Sequence, residues 1–196
     1  MAKGKGSSFE RDICKQLDSW WTGNDLDAVF WRSTQSGGRA TTRAAKGQNT
    51  HGSHGDIAAI HPSGEPLIDA FTIELKRGYT KHHTAELFDL SDYHREKQHP
   101  KQFERFLLQA RMSCELAGSV SWMLIHKRDG RQVMCYFPYW IFQFLKKHSS
   151  FGTTPIPLMR LKVKLKGDQV IDIAGMRFSS FMEGTTKEAI EILSRS

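Results

Sequence analysis

The sequence predicts an α/β fold, a mixed central sheet whose elements run α-β-β-β-α-β, followed by a C-terminal β-hairpin and a helix. Three observations carry this. Apolar residues recur at helical spacing in two stretches, 9–21 and 103–117. Short apolar runs bounded by turn residues lie between and after them. Finally, 161–166 alternates strictly between apolar and lysine side chains, the period of a half-solvated strand.

Taken in order, Phe9, Ile13, Leu17 and Trp20 or Trp21 form one apolar stripe, so the first helix is amphipathic and docks by that face. Ser7-Ser8-Phe9-Glu10 fits a capping box, with Ser7 at the N-cap and Glu10 reaching back to it. The polar, glycine-rich stretch 34–53 has no apolar period and is expected to be a mobile loop. Two apolar runs follow, 57–60 and 68–73, separated by His61-Pro62-Ser63-Gly64-Glu65-Pro66. That spacing predicts a hairpin centred near Glu65. The second strand is apolar on both faces, which predicts a central position in the sheet. Phe103, Leu107, Ala110, Cys114 and Ala117 then define a helix that stops at Gly118. Segments 120–126 and 132–136 read as strands joined by a turn at 127–131, and Pro138 suits the first turn of a short aromatic helix through Leu145. A late hairpin pairs 161–166 with 169–173 across Gly167-Asp168, and the segment from Thr185 to Glu188 caps a terminal helix.

The chemistry concentrates at the first predicted hairpin. Gly55-Asp56 opens one strand, and Glu74-Leu75-Lys76 ends the other. Side chains alternate along a strand, so Glu74 and Lys76 share a face while Leu75 turns away. With the turn near Glu65, Asp56 falls opposite Glu74, so two carboxylates and an ammonium converge. Hard divalent cations such as Mg²⁺ take oxygen ligands, usually from one or two carboxylates, and fill the remaining positions with water and substrate phosphate. The expected ligands are Asp56, Glu74 and the Leu75 carbonyl, with Lys76 assisting the attacking water, and the natural reaction is phosphodiester hydrolysis. The competing reading is a solvated strand end carrying an ordinary ion pair. Charges at the end of a buried strand favour function, because desolvating them costs several kcal/mol without partners or metal.

These residues, with Lys5-Gly6-Ser7-Ser8-Phe9-Glu10-Arg11 at the start, resemble the PD-(D/E)XK nuclease superfamily, and within it the Holliday-junction resolvases of archaeal type and their phage relatives. The resemblance is strongest over the first half of the chain. It implies a restriction-endonuclease-like core and a DNA endonuclease dependent on Mg²⁺, with Mn²⁺ as a substitute. It also implies catalytic roles for Asp56, Glu74 and Lys76 and a further metal-site acid at Glu10, where capping and catalysis both remain open. Phe30-Trp31-Arg32-Ser33, followed by Gly37-Gly38, resembles the Arg-Ser of the resolvases and gives Arg32 and Ser33 a site or DNA-contact role. Gln109 falls on the helix after the Glu-x-Lys strand, where several branches of the superfamily place a Gln near the metal, although a surface glutamine on a helix is ordinary. Gly55 replaces the signature proline, and 34–53 extends beyond the pattern.

The net charge of +7 and a pI near 9.4 favour a polyanionic partner. Lys5, Arg11, Arg32, Arg39, Arg43 and Lys46 cluster in the first quarter, around the expected site, as candidate DNA contacts. A single domain over 1–196 is expected, with DNA, branched or duplex, as partner and a homodimer as the assembly. Cys14, Cys114 and Cys135 are widely spaced and read as reduced core thiols of a cytoplasmic protein, in the host cell if phage-encoded. No signal peptide and no apolar run long enough to cross a bilayer is present, which argues against a membrane partner. His51-Gly52-Ser53-His54 and His82-His83 offer rival metal ligands, but they lack cysteine partners and His51 and His54 sit in a glycine-rich stretch. Two other functions compete: a nucleic-acid-binding module without catalysis, and a restriction- or repair-type nuclease acting on duplex DNA or ends. A catalytically dead relative would be expected to have lost one of Asp56, Glu74 or Lys76, and all three are present.

Overall fold

A computed structural model describes residues 3–23, 28–33, 54–78, 102–149, 151, 158–164 and 170–196. Helix α1 (Lys3–Thr22) leads into β1 (Phe30–Arg32) and β2 (Ile57–Ala59), and a 3-10 turn (Pro62–Gly64) and helix α2 (Glu65–Ala70) precede β3 (Phe71–Arg77). Helix α3 (Gln102–Ala117), strands β4 (Ser121–Lys127) and β5 (Val133–Pro138) and helix α4 (Tyr139–His148) follow. The chain closes with β6 (Met159–Lys164), β7 (Val170–Arg177) and helices α5 (Phe178–Gly184) and α6 (Lys187–Leu193).

The main sheet has the order β3-β4-β5-β7-β6, with β3 and β4 parallel and every other pair antiparallel. The mixed α/β core predicted from the sequence is therefore present, and among the described residues α1-β1-β2-β3-α3-β4 reproduces its element order with the 3-10 turn and the short α2 inserted. One face of the sheet carries α3: Phe103, Leu107 and Ala110 pack on Trp122, Leu124 and Tyr136. The other face meets α1, α2 and the C-terminal helices through Ile13, Leu67, Phe71, Ile73, Phe137, Phe181 and Ile190. Phe71, Ile73 and Leu75 point into this second layer, so Thr72, Glu74 and Lys76 face α3.

Three expectations need correction. The segments 57–60 and 68–73 do not form a hairpin: β2 pairs antiparallel with β1, and 65–70 is helical. Pro66 stands at the start of α2, where its missing N–H is harmless, and Leu67, Ile68 and Ala70 bury as one helical face. A short apolar run bounded by turns fits a buried helix as well as a strand. Second, β3 is the terminal strand of the five-stranded ladder rather than a central one. It is buried nonetheless, because Gly55-Asp56 lies along its free edge, with the Asp56 N–H donating to the Ile73 carbonyl at 2.8 Å. Third, α1 begins at Lys3, so Ser7 lies inside the helix and the capping-box reading of Glu10 lapses. The terminal helix is capped from within the expected 185–188 segment, by Thr186, whose hydroxyl accepts from the Ala189 N–H at 3.3 Å, and α5 precedes it. Helix α3 ends as expected, with Gly118 at φ +69°, and β6 and β7 form the late hairpin. The predicted loop 34–53, with Arg39, Arg43, Lys46 and His51, and the pair His82-His83 lie outside the described residues, as does the Gly167-Asp168 turn.

Candidate active site

The site forms where Gly55-Asp56 presses against β3. A Cβ on residue 55 would sit 2.7 Å from the Ile73 carbonyl oxygen, so this close approach requires glycine; proline, which also has a Cβ, would clash. Asp56 is fixed on three sides. Its N–H donates to Ile73 and its carbonyl accepts from the Ser33 N–H, both at 2.8 Å. Its carboxylate Oδ2 accepts from the Leu75 N–H at 2.7 Å. Backbone pairing at the sheet edge thus achieves what the predicted hairpin was expected to do.

Glu74 is 3 % exposed, and both its carboxylate oxygens are engaged. Oε1 accepts from the Ser113 hydroxyl at 2.8 Å; Oε2 accepts from Gln109 Nε2 at 2.9 Å and Lys76 Nζ at 3.1 Å. Gln109 and Ser113 are one helical turn apart on α3, so a single flank of that helix holds the carboxylate in place. The Lys76 ammonium also lies 5.8 Å from the centre of the Phe106 ring, and Phe106 meets the buried His126 edge-on. Gln109 is exposed, so the cluster opens to solvent along α3.

Burial, together with the charge of Glu74, raises the Asp56 carboxyl from its usual range to about 6, against the opposing pull of the Leu75 N–H and Lys76. Two carboxylates held together away from water repel one another, and a divalent cation relieves that repulsion. The donor set, carboxylate oxygens with a backbone carbonyl nearby, suits a hard ion such as Mg²⁺. Among the described residues, no group of three His, Cys, Asp or Glu side chains is arranged to hold a metal.

Glu10 is brought near this cluster. Its charge is felt at Asp56, more weakly than that of Glu74, while its carboxylate is paired with the Arg32 guanidinium. The Asp18 carboxylate anchors β1 to α1 by accepting from the Val29 and Phe30 N–H groups, both at 2.8 Å, and so sets where Arg32 emerges. Ser33 is buried and braces Asp56 through its backbone. Arg11 is exposed on α1, and Lys5 lies on the same helix with its side chain outside the described residues. His54 is exposed. Two contacts have no counterpart among the sequence-level candidates: Ser113 on Glu74, and Arg77 Nη1 donating to the Ser8 hydroxyl at 3.0 Å, which ties the end of β3 to α1. Only the four-residue spacing of Gln109 and Ser113 on a helix hints at the first.

A family model described as "Phage putative PDDEXK endonuclease" matches residues 1–191. The chain belongs to this family. No curated protein and no solved structure matches it. Asp56, before β3, and the Glu74-Leu75-Lys76 end of that strand stand together. The cysteines take no part: Cys14, Cys114 and Cys135 are free and buried, and desolvation pushes Cys14 up to about 12 and Cys114 up to about 11. Among the described residues, no helix is long and apolar enough to cross a membrane.

Proposed function

We propose that this chain is a divalent-metal-dependent DNA endonuclease whose site is built from Asp56, Glu74 and Lys76. The observation that carries the reading is the buried Glu74 carboxylate, fully engaged by Ser113, Gln109 and Lys76 and set beside an Asp56 with a raised pKa. Like charge concentrated beside a buried carboxylate is the arrangement by which active sites shift pKa values. Asp56, Glu74 and the Leu75 carbonyl would hold Mg²⁺, or Mn²⁺ in its place. When bound, such an ion lowers the pKa of its water and neutralises charge gathering on the attacked phosphate.

The chain's own residues supply the rest. Ser113 and Gln109 keep Glu74 from rotating, which fixes the direction of its oxygens. Lys76, held beside Glu74, offers its ammonium to the attacking water and to the phosphate oxygens as charge develops. Glu10 holds the Arg32 guanidinium at the rim, where a planar fork suits a neighbouring phosphate of the DNA strand. Arg11 on the exposed side of α1 extends the basic surface, with Lys5, Arg39, Arg43 and Lys46 as further phosphate contacts.

For the substrate we favour a branched DNA, as in the junction resolvases that the N-terminal segment and Arg32-Ser33 resemble. Paired cuts in two strands need two equal sites, which a two-fold homodimer provides. The test combines light scattering with a cleavage panel of four-way junction, flap, linear duplex and single strand in Mg²⁺. A dimer that prefers the junction supports the reading. A monomer cutting linear duplex equally well removes the resolvase assignment and leaves a duplex- or end-directed nuclease.

A further inference from the structure

A second candidate surface lies at the opposite end of the sheet, where β4 begins and β5 gives way to α4. A cleft of about 500 Å³ opens there between the C-terminal half of α3, the start of α4 and the β6–β7 hairpin. Its two arginines are each paired with a carboxylate. Arg160 donates from Nη2 to Asp172 at 2.6 Å and from Nε at 3.1 Å, and Arg111 pairs with Glu115 at 2.9 Å. The Arg160 guanidinium carbon also lies over the Tyr139 ring, 3.8 Å from its centre. Beside it the indole of Trp140 is 47 % exposed.

This chemistry selects its ligand. Arg160 and Arg111 are each paired with a carboxylate, so neither arginine among the described residues lining the cleft stands as an uncompensated cation for a phosphate. The cleft offers planar surfaces instead, Trp140 and the Tyr139–Arg160 pair, for a flat ring to lie on. Around them, the Glu115 and Asp172 carboxylates can accept from the exocyclic amino group of a base, which thymine lacks. We propose that this cleft binds an unpaired nucleobase of a DNA strand whose neighbouring segment occupies the Glu74 site, a proposal that rests on the nuclease reading above.

The near wall of the cleft adjoins the Glu74 site. Trp122, at the cleft, pairs with Thr72, two residues before Glu74, which is roughly 7 Å along the strand. On α3, Gln109 and Ser113 line one flank while Arg111 and Glu115 line the other, a separation of roughly one helix diameter, about 10 Å. A strand passing from one to the other crosses the outward side of α3, where Met112 and Leu116 are 61 % and 71 % exposed. Apolar side chains are poor partners for water on such a path and good ones for bases.

The test is binding in EDTA, by fluorescence anisotropy, of a blunt labelled duplex, the same duplex with a few unpaired cytosines at either end, and the same extension made abasic. The wild type should hold the cytosine extension tighter than the blunt duplex by about 5- to 150-fold, the worth of one stacked base. Trp140→Ala and the abasic extension should each erase that difference, with blunt-duplex affinity and cleavage in Mg²⁺ unchanged. The gain should fall when thymine replaces cytosine, and Glu115→Gln should narrow that gap. Equal affinity for blunt and extended DNA, a gain that survives Trp140→Ala, or capture of free nucleotide with no effect of the extension would each overturn the inference. Because no metal is present, a chain that binds the extension but never cleaves DNA counts against the nuclease reading alone. One that cleaves without favouring the extension counts against this inference alone.

Discussion

Two acid–base pairs in this chain look alike on paper and behave differently. Lys76 and Glu74 meet at 3.1 Å with side chains 15 % and 4 % exposed; Arg160 and Asp172 meet at 2.6 Å with side chains 50 % and 29 % exposed. The shorter pair is the more solvated one. Distance therefore does not mark the site; burial and the company of further polar groups do. An exposed pair is screened and contributes about 0 to 1 kcal/mol. Burying a charge costs several kcal/mol that partners must offset, and around Glu74 those partners are Ser113, Gln109 and Lys76.

The largest effect that would sharpen this contrast is on turnover. Asp56→Asn or Lys76→Ala should lower the rate of DNA cleavage by at least about 10²-fold, the scale of losing one preorganised electrostatic group. Asp172→Asn should leave cleavage of a blunt duplex unchanged. Gel-resolved rates, with thermal unfolding to show that each variant is folded, decide the matter. Comparable losses in all three would erase the distinction between the pairs.

Next comes the holding of Glu74. Ser113→Ala frees Oε1 to rotate while keeping the metal-site charge, so divalent-cation affinity should drop by about 10- to 100-fold, as for other residues that orient ligands. Calorimetric titration with Mn²⁺ measures this directly. Unchanged affinity would mean that the hydroxyl merely fills its place.

A smaller effect concerns pH. Asp56 titrates near 6 in the fold but at its ordinary value near 3.8 when unfolded, so between these values the folded state holds the extra proton. Stability of the metal-free chain should accordingly fall as pH rises from about 4 to about 6, by up to roughly 3 kcal/mol. Asp56→Asn should flatten that fall, and chemical denaturation across this window in EDTA checks it. Smallest is the exposed pair, where Asp172→Ala should change stability by less than about 1 kcal/mol in the same assay.

Most of the scaffold was legible because its signals are periodic. The stripe from Phe9 to Trp21 buries as its spacing requires, Gly118 ends α3, and β6 pairs with β7. The segment between Asp56 and Glu74 was not, because Leu67 and Ile68 are too few to separate helix from strand, and α2 wins by burying one face under α6 and β3. Asp56 still reaches the Glu74 strand, but through its backbone bond to Ile73 rather than as a cross-strand partner. Ser113 and Arg77 escaped notice because their contacts join residues 39 and 69 positions apart, a separation over which local pattern carries no information.

The most direct test of the central claim, that the buried Asp56–Glu74–Lys76 cluster hydrolyses DNA with a divalent ion, is a cleavage time course of wild type and Glu74→Gln in Mg²⁺ and in EDTA. The account predicts cleavage by the wild type in Mg²⁺ only, and a loss of at least about 10²-fold in Glu74→Gln. Undiminished cleavage by Glu74→Gln, or full wild-type activity in EDTA, would contradict it.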